Sequence, residues 1–106
     1  CSAYFRHQWE SPYMILIDQI KDEWREKLPG IVHVDGSCRV QTVKDHDEPL
    51  YQLLWSFRSL TGISVLLNTS FNRKAMPIVE TPQQAIQFFY ESGLDALVMN
   101  DYIFVK

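Results

Sequence analysis

A hydroxyl and a carboxamide two residues apart end an apolar run in Leu66-Leu67-Asn68-Thr69-Ser70-Phe71-Asn72. Side chains of an extended segment alternate faces, so Ser70 and Asn72 share one side and Thr69 and Phe71 the other. Uncharged donors of this kind can hold phosphate or carbonyl oxygens without adding charge of their own. That chemistry suits formation of an adenylate better than general acid or base catalysis. The plain alternative is a polar loop after a strand.

A second constellation is His33-Val34-Asp35-Gly36-Ser37-Cys38-Arg39-Val40-Gln41. Arg39 emerges there beside small residues that let an anion approach, and its planar guanidinium is built for two-pronged phosphate binding. A surface arginine paired with one of the thirteen acids is the alternative. His33 and Asp35 are two metal-ligand types where a site needs three or four, so a histidine satisfied within its strand is expected and no protein-bound metal. Cys38 beside a cation has one feature of an activated thiol, but no base is paired with it, so a small turn-filling residue is expected. Gly-rich phosphate loops, a Gly-x-Ser-x-Gly elbow and the carboxylate pairs of glycoside chemistry are absent.

These residues need elements to position them. Residues 13–20 read as a strand, and the charge run at 21–27 as a solvated excursion ending in the Leu28-Pro29-Gly30 turn. Residues 31–35 resume a strand, Asp35-Gly36 turns the chain, and residues 40–43 pair with what precedes them. Leu50, Leu53, Leu54, Phe57 and Leu60 recur at helical spacing, with Asp47 as cap and Gly62 past the end, which predicts an amphipathic helix packed on a sheet. Residues 63–67 then read as a short buried strand, completing a parallel crossover. A second helix follows, capped by Thr81, with Pro82 in its first turn, Gly93 beyond it, and Phe88, Phe89 and Tyr90 as core and flank. Residues 96–99 and 102–105 flank Asn100-Asp101 as a terminal hairpin. Ligands of open α/β sheets collect beyond the carboxyl ends of parallel strands, which is where residues 68–72 fall.

Composition bounds the rest. A chain of 106 residues is one unit of mixed α/β class, and its 46 % apolar and 22 % charged residues are those of a soluble globular protein. No apolar run approaches membrane-spanning length. A net charge of −3 argues against nucleic acid as partner, while leaving room for a local basic pocket. Two cysteines, Cys1 and Cys38, and no secretory leader point to a reducing, cytoplasmic setting. The chain starts at Cys1 in place of Met, and residues 1–5 read like the tail of an earlier element, so a piece of a larger domain is expected.

Taken together, the chain resembles the C-terminal, YrdC-like domain of the O-carbamoyltransferase family, which includes nodulation and antibiotic-tailoring enzymes. The resemblance runs in order through Ser11-Pro12-Tyr13-Met14, His33-Val34-Asp35-Gly36-Ser37 with Arg39-Val40-Gln41, Leu67-Asn68-Thr69-Ser70-Phe71-Asn72, Pro77-Ile78-Val79 with Thr81-Pro82, and Asp95-Ala96-Leu97. It implies the later part of a YrdC-like domain, with a twisted open sheet flanked by helices. The substrates implied are ATP, with magnesium, and carbamoyl phosphate, which together give carbamoyl adenylate before transfer to a hydroxyl acceptor. Of the Lys, Arg, Ser, Asn set of YrdC-like proteins, the Ser-x-Asn part falls on Ser70 and Asn72. The rest, and a transferase domain with its metal-binding histidines, would lie upstream. Arg39, Ser70 and Asn72 are then the catalytic candidates, and Arg39, Asn68, Ser70 and Asn72 the nucleotide-binding ones. Ala75-Met76 stands where many members have Gly-Glu, a departure that bears on the polar contacts of that loop. The rival implication is a module that binds nucleotide, or packs against a domain, without turnover.

Overall fold

Apolar side chains at Tyr4, Phe5 and Ile20 and a buried Cys38 draw the first part of the chain together. β1 (Ile17–Gln19) pairs antiparallel with β2 (Ser37–Arg39), in the register Ile17 to Arg39, Asp18 to Cys38 and Gln19 to Ser37. Directly opposed residues share a face, so Asp18 and Cys38 are buried together while Ile17 and Arg39 are exposed together. Phe5 extends this ribbon by a single bridge to Ile20. The computed structural model describes residues 2–44 and 48–106. They gather into two compact units, Cys1–Leu67 and Asn68–Lys106.

In the first unit Tyr4, Phe5 and Cys38 form a core joined by Trp24, Leu28, Ile31, Val40, Ile63 and Val65. The charge run becomes a single helical turn, α1 (Asp22–Arg25), with Asp22 and Glu23 at its start, where the helix dipole favours acids. Trp24 nevertheless turns inward and meets the Tyr4 ring at 4.8 Å edge-on, so this segment is half core and not wholly solvated. Pro29–Ile31 is a short 3-10 turn, and the strand expected over residues 31–35 is absent. There His33 and Gly36 close a turn instead, Gly36 N–H donating to the His33 carbonyl at 2.9 Å.

α2 (Pro49–Thr61) forms over the predicted apolar spacing and ends at Gly62, whose φ of 79° is the left-handed conformation that glycine adopts freely. The cap expected at Asp47 lies outside the described residues. None of the α2 residues is buried, so its apolar stripe is formed but not packed on a sheet. Residues 63–67 carry no strand, and all strand pairs among the described residues are antiparallel. The crossover is missing because no parallel neighbour is present among the described residues for that segment to join. Its backbone turns to side chains instead, Ser64 N–H donating to the Tyr4 hydroxyl at 2.9 Å and Ile63 N–H to the Thr61 hydroxyl at 3.1 Å.

The second unit follows its sequence closely. α3 (Pro82–Glu91) starts with a complete capping box: Gln84 N–H donates to the Thr81 hydroxyl, and the Gln84 side chain accepts from Thr81 N–H. Gly93 lies just beyond the capping Ser92. β3 (Ala96–Met99) and β4 (Tyr102–Val105) form the hairpin, with Asn100 in the turn at φ 50°. Ala85, Phe89 and Leu97 are its core, with Phe71, Val79, Ile86, Met99 and Phe104 packed around them. The whole is of mixed α/β class, with three helices and two small antiparallel sheets among the described residues. Among those residues no helix is long and apolar enough to cross a membrane.

Candidate functional site

The stretch that carries Ser70 is held from one side. Phe71 turns toward α3, its ring edge-on to Phe88 at 4.7 Å, and its carbonyl accepts from Val79 N–H at 3.0 Å. Arg73 adds an ion pair to Glu91 at 3.2 Å and lies 5.4 Å from the centre of the Phe88 ring. Asn68, Thr69 and Ser70 are all exposed, while Phe71 and Asn72 are both half-buried, so the two-by-two alternation expected of an extended segment is not kept here.

Asn72 is half-buried and closes a small loop. Its amide group donates to the Met76 carbonyl at 2.9 Å and more weakly to the Arg73 carbonyl at 3.3 Å, while Met76 N–H also donates to Arg73 at 3.0 Å. Ala75 takes φ 66° inside this loop, a left-handed conformation that a Cβ makes costly. It is the position where the resemblance implies glycine, the residue that adopts this conformation freely. Both amide hydrogens of Asn72 are engaged, so Oδ1 is the atom with capacity left for a ligand.

The other candidate set is built on the turn before β2. Asp35 accepts from the Ser37 hydroxyl at 2.6 Å and from Ser37 N–H at 2.9 Å. These two bonds, the hydroxyl first, hold the exposed Asp35 carboxyl below its ordinary value. His33 and Asp35 thus serve the turn, and among the described residues no three His, Cys, Asp or Glu side chains gather to hold a metal ion. Gly36 sits at φ 85°, where an added Cβ would come within 3.1 Å of Gln19 Oε1. Cys38 points into the core, and burial pushes its thiol up, with Asp18 adding to the shift. An activated nucleophile would need the opposite shift, so Cys38 is a packing residue. Arg39 is exposed at the end of β2 and takes part in none of the ion pairs among the described residues.

Asn68, Ser70 and Asn72 therefore lie together in the second unit, and Arg39 belongs to the first. Sequence reasoning missed the pair of His7 and Asp18. Asp18 is buried and accepts from His7 Nδ1 at 2.8 Å, from His7 N–H at 3.3 Å and from Gln19 N–H at 2.6 Å, while the His7 ring stacks on Trp9 at 4.3 Å. The one available signal was a lone acid in an otherwise apolar strand pattern, which demands a partner.

Among known protein families, the one described as Carbamoyltransferase C-terminus matches residues 1–106. Nodulation protein NolNO of Sinorhizobium fredii is 36 % identical over 98 residues, 92 % of this chain and 14 % of that protein. The 3'-hydroxymethylcephem-O-carbamoyltransferase of Amycolatopsis lactamdurans is 32 % identical over 98 residues, 92 % of this chain and 18 % of that protein. An uncharacterised protein of Methanocaldococcus jannaschii is 36 % identical over 100 residues, 93 % of this chain and 16 % of its own length. The chain thus spans less than a fifth of the length of each of these three relatives.

Proposed function

The chain belongs to the carbamoyltransferase C-terminus family, and from that membership we propose that it forms one wall of a site where ATP and carbamoyl phosphate give carbamoyl adenylate, ahead of transfer to a hydroxyl acceptor. The observation that carries this reading is the likeness to an O-carbamoyltransferase over 92 % of this chain, including the exposed Ser70 stretch. In this reading the transferase domain that binds the carbamoyl acceptor and the remaining cationic residues would lie in upstream polypeptide, and magnesium arrives with the nucleotide. A cytoplasmic setting fits soluble, phosphorylated substrates.

The same reading has water release inorganic phosphate from carbamoyl phosphate to leave carbamate. A carbamate oxygen then attacks the α-phosphate of ATP, and pyrophosphate leaves with its magnesium, so the site's task is to spread and hold negative charge. Arg39 neutralises phosphate charge. Ser70 donates from its hydroxyl to a phosphate or carbamoyl oxygen, and Asn68 lines the same stretch. Asn72 has a narrower part, since its amide hydrogens are engaged by the loop: Oδ1 accepts, which matches the carbamoyl NH₂ group and not a phosphate oxygen.

Two substitutions in the complete polypeptide test this. Ser70→Ala should lower carbamoyl-phosphate-dependent pyrophosphate exchange by roughly 10²- to 10³-fold, the loss of about 2.7 to 4 kcal/mol that follows removal of one such donor. Unchanged exchange would remove Ser70 from the site. Arg39→Ala should weaken ATP binding in calorimetry, and an unaltered affinity would exclude it. If both variants exchange normally while ATP still binds, the chain is a binding module without turnover.

A further inference from the structure

The hairpin has two apolar faces, and only one is covered. The register pairs Leu97 with Phe104 and Met99 with Tyr102 on one face, from which Leu97, Met99 and Phe104 pack against Ala85 and Phe89 of α3. The opposite face consists of the pairs Ala96 with Val105 and Val98 with Ile103. It holds no polar side chain. Val98, Ile103 and Val105 are 64 %, 69 % and 66 % exposed.

An antiparallel pair with one solvated face alternates apolar and polar residues, whereas strands covered on both sides read as continuous apolar runs. Ala96 to Met99 and Tyr102 to Val105 are runs of the second kind. Left open, an apolar face on a two-stranded ribbon with free edges invites aggregation. The absence of charge on the face also speaks against a partner that comes and goes, because separable interfaces keep a polar character that permanent ones lack.

We propose that the face made by Ala96, Val98, Ile103 and Val105 is the seat on which the preceding polypeptide of a longer carbamoyltransferase packs permanently. This rests on reading the chain as the C-terminal part of such a protein. Two observations select that occupant over a second copy or a separate subunit. The relatives that match nearly all of this chain have more than four-fifths of their length outside it, and the matching family is that of a C-terminus. A segment joined covalently also meets the face at a high effective concentration, so it outcompetes free partners without needing charge to steer it.

Thiol labelling of the complete polypeptide tests this. Val98→Cys and Ile103→Cys place a probe on the face, and Asp101→Cys places one on the exposed turn of the same hairpin. With the protein folded, the first two should react at least tenfold more slowly than the third, and all three should react alike in denaturant. Comparable rates in the folded protein would overturn the inference. Carbene footprinting of Ile103 in the unsubstituted protein answers the same question should a variant fail to fold, with strong labelling counting against the proposal. Slow labelling that appears only as concentration rises would assign the face to self-association and equally overturn it. The readout does not depend on adenylate chemistry, so open labelling with a damaging Ser70→Ala would sink this inference alone, and protected labelling with a neutral Ser70→Ala would sink the site alone.

Discussion

α2 and α3 share a sequence pattern and differ in how far it is packed. Both start with proline in the first turn, and both carry an apolar stripe at helical spacing. α3 buries Ala85 and Phe89 and opens on a capping box, while α2 fully buries no residue, leaving Tyr51, Leu54 and Phe57 half-buried, and has no side-chain cap. Leu60 on α2 is 86 % exposed, whereas Phe89 on α3 is fully buried. Periodicity therefore announces that a face wants covering, but the cover has to be in the same chain for the face to be buried. α3 finds it in β3 and β4. α2 does not.

The sharpest way to break this contrast is to truncate one apolar residue on each helix. Phe89→Ala should destabilise the second unit by about 3 to 5 kcal/mol, the usual range for removing a buried aromatic ring. Leu60→Ala should stay within about 0.5 kcal/mol in the chain of 106 residues. Chemical denaturation measures both, and equal losses would show that α2 is packed after all. In a longer polypeptide the cost of Leu60→Ala should rise if its stripe becomes covered.

A smaller difference is expected at the helix starts. Thr81→Ala removes the hydroxyl that accepts from Gln84 N–H and should lower stability by about 1 kcal/mol. Glu48→Ala at the corresponding place on α2 removes no side-chain cap and should leave the melting temperature unmoved. Matching shifts would dissolve the distinction between the two helices.

The smallest effect concerns acid. Asp35 in the first unit has its folded value held below the ordinary 3.8. Its contribution is therefore complete above that value and is lost as pH falls through the lower, folded one. Ser37→Ala removes the main cause, so the first unit of the variant should lose a small share of its stability at neutral pH and show a flatter dependence below pH 3.8. Proton titration followed by NMR at Asp35 measures this, and an unchanged midpoint would show that Ser37 does not set it.

How far the structure was readable from residues follows the same line. The second unit was legible almost to its ends, because Thr81, Pro82, Gly93 and the Asn100-Asp101 turn act through their immediate neighbours. The first unit was not. Residues 63–67 have the composition of a buried strand, but a strand depends on a neighbour far away in sequence, and none is present for them among the described residues. The 21–27 run looked solvated because its charges outnumber its apolar residues, yet Trp24 alone was enough to turn one side of it inward. At the candidate site, alternation paired Ser70 with Asn72 and Thr69 with Phe71, whereas Thr69 and Ser70 are both exposed and Phe71 and Asn72 both half-buried, because the stretch is not a strand. It could not foresee that Asn72 would close a loop, since that depends on backbone carbonyls that no side-chain pattern reveals.

Gly36 carries a consequence for Arg39 that its distance along the chain conceals. Three rungs of ladder grip weakly, so the alignment of β1 with β2 is set at the bend, where the positive φ favours glycine and a side chain would crowd Gln19 and Arg25. Were the bend to relax and the strands slide by one step, thiol and guanidinium would trade places, and a permanent cation would be driven into grease. Gly36 is in this sense the latch that keeps the arginine facing water.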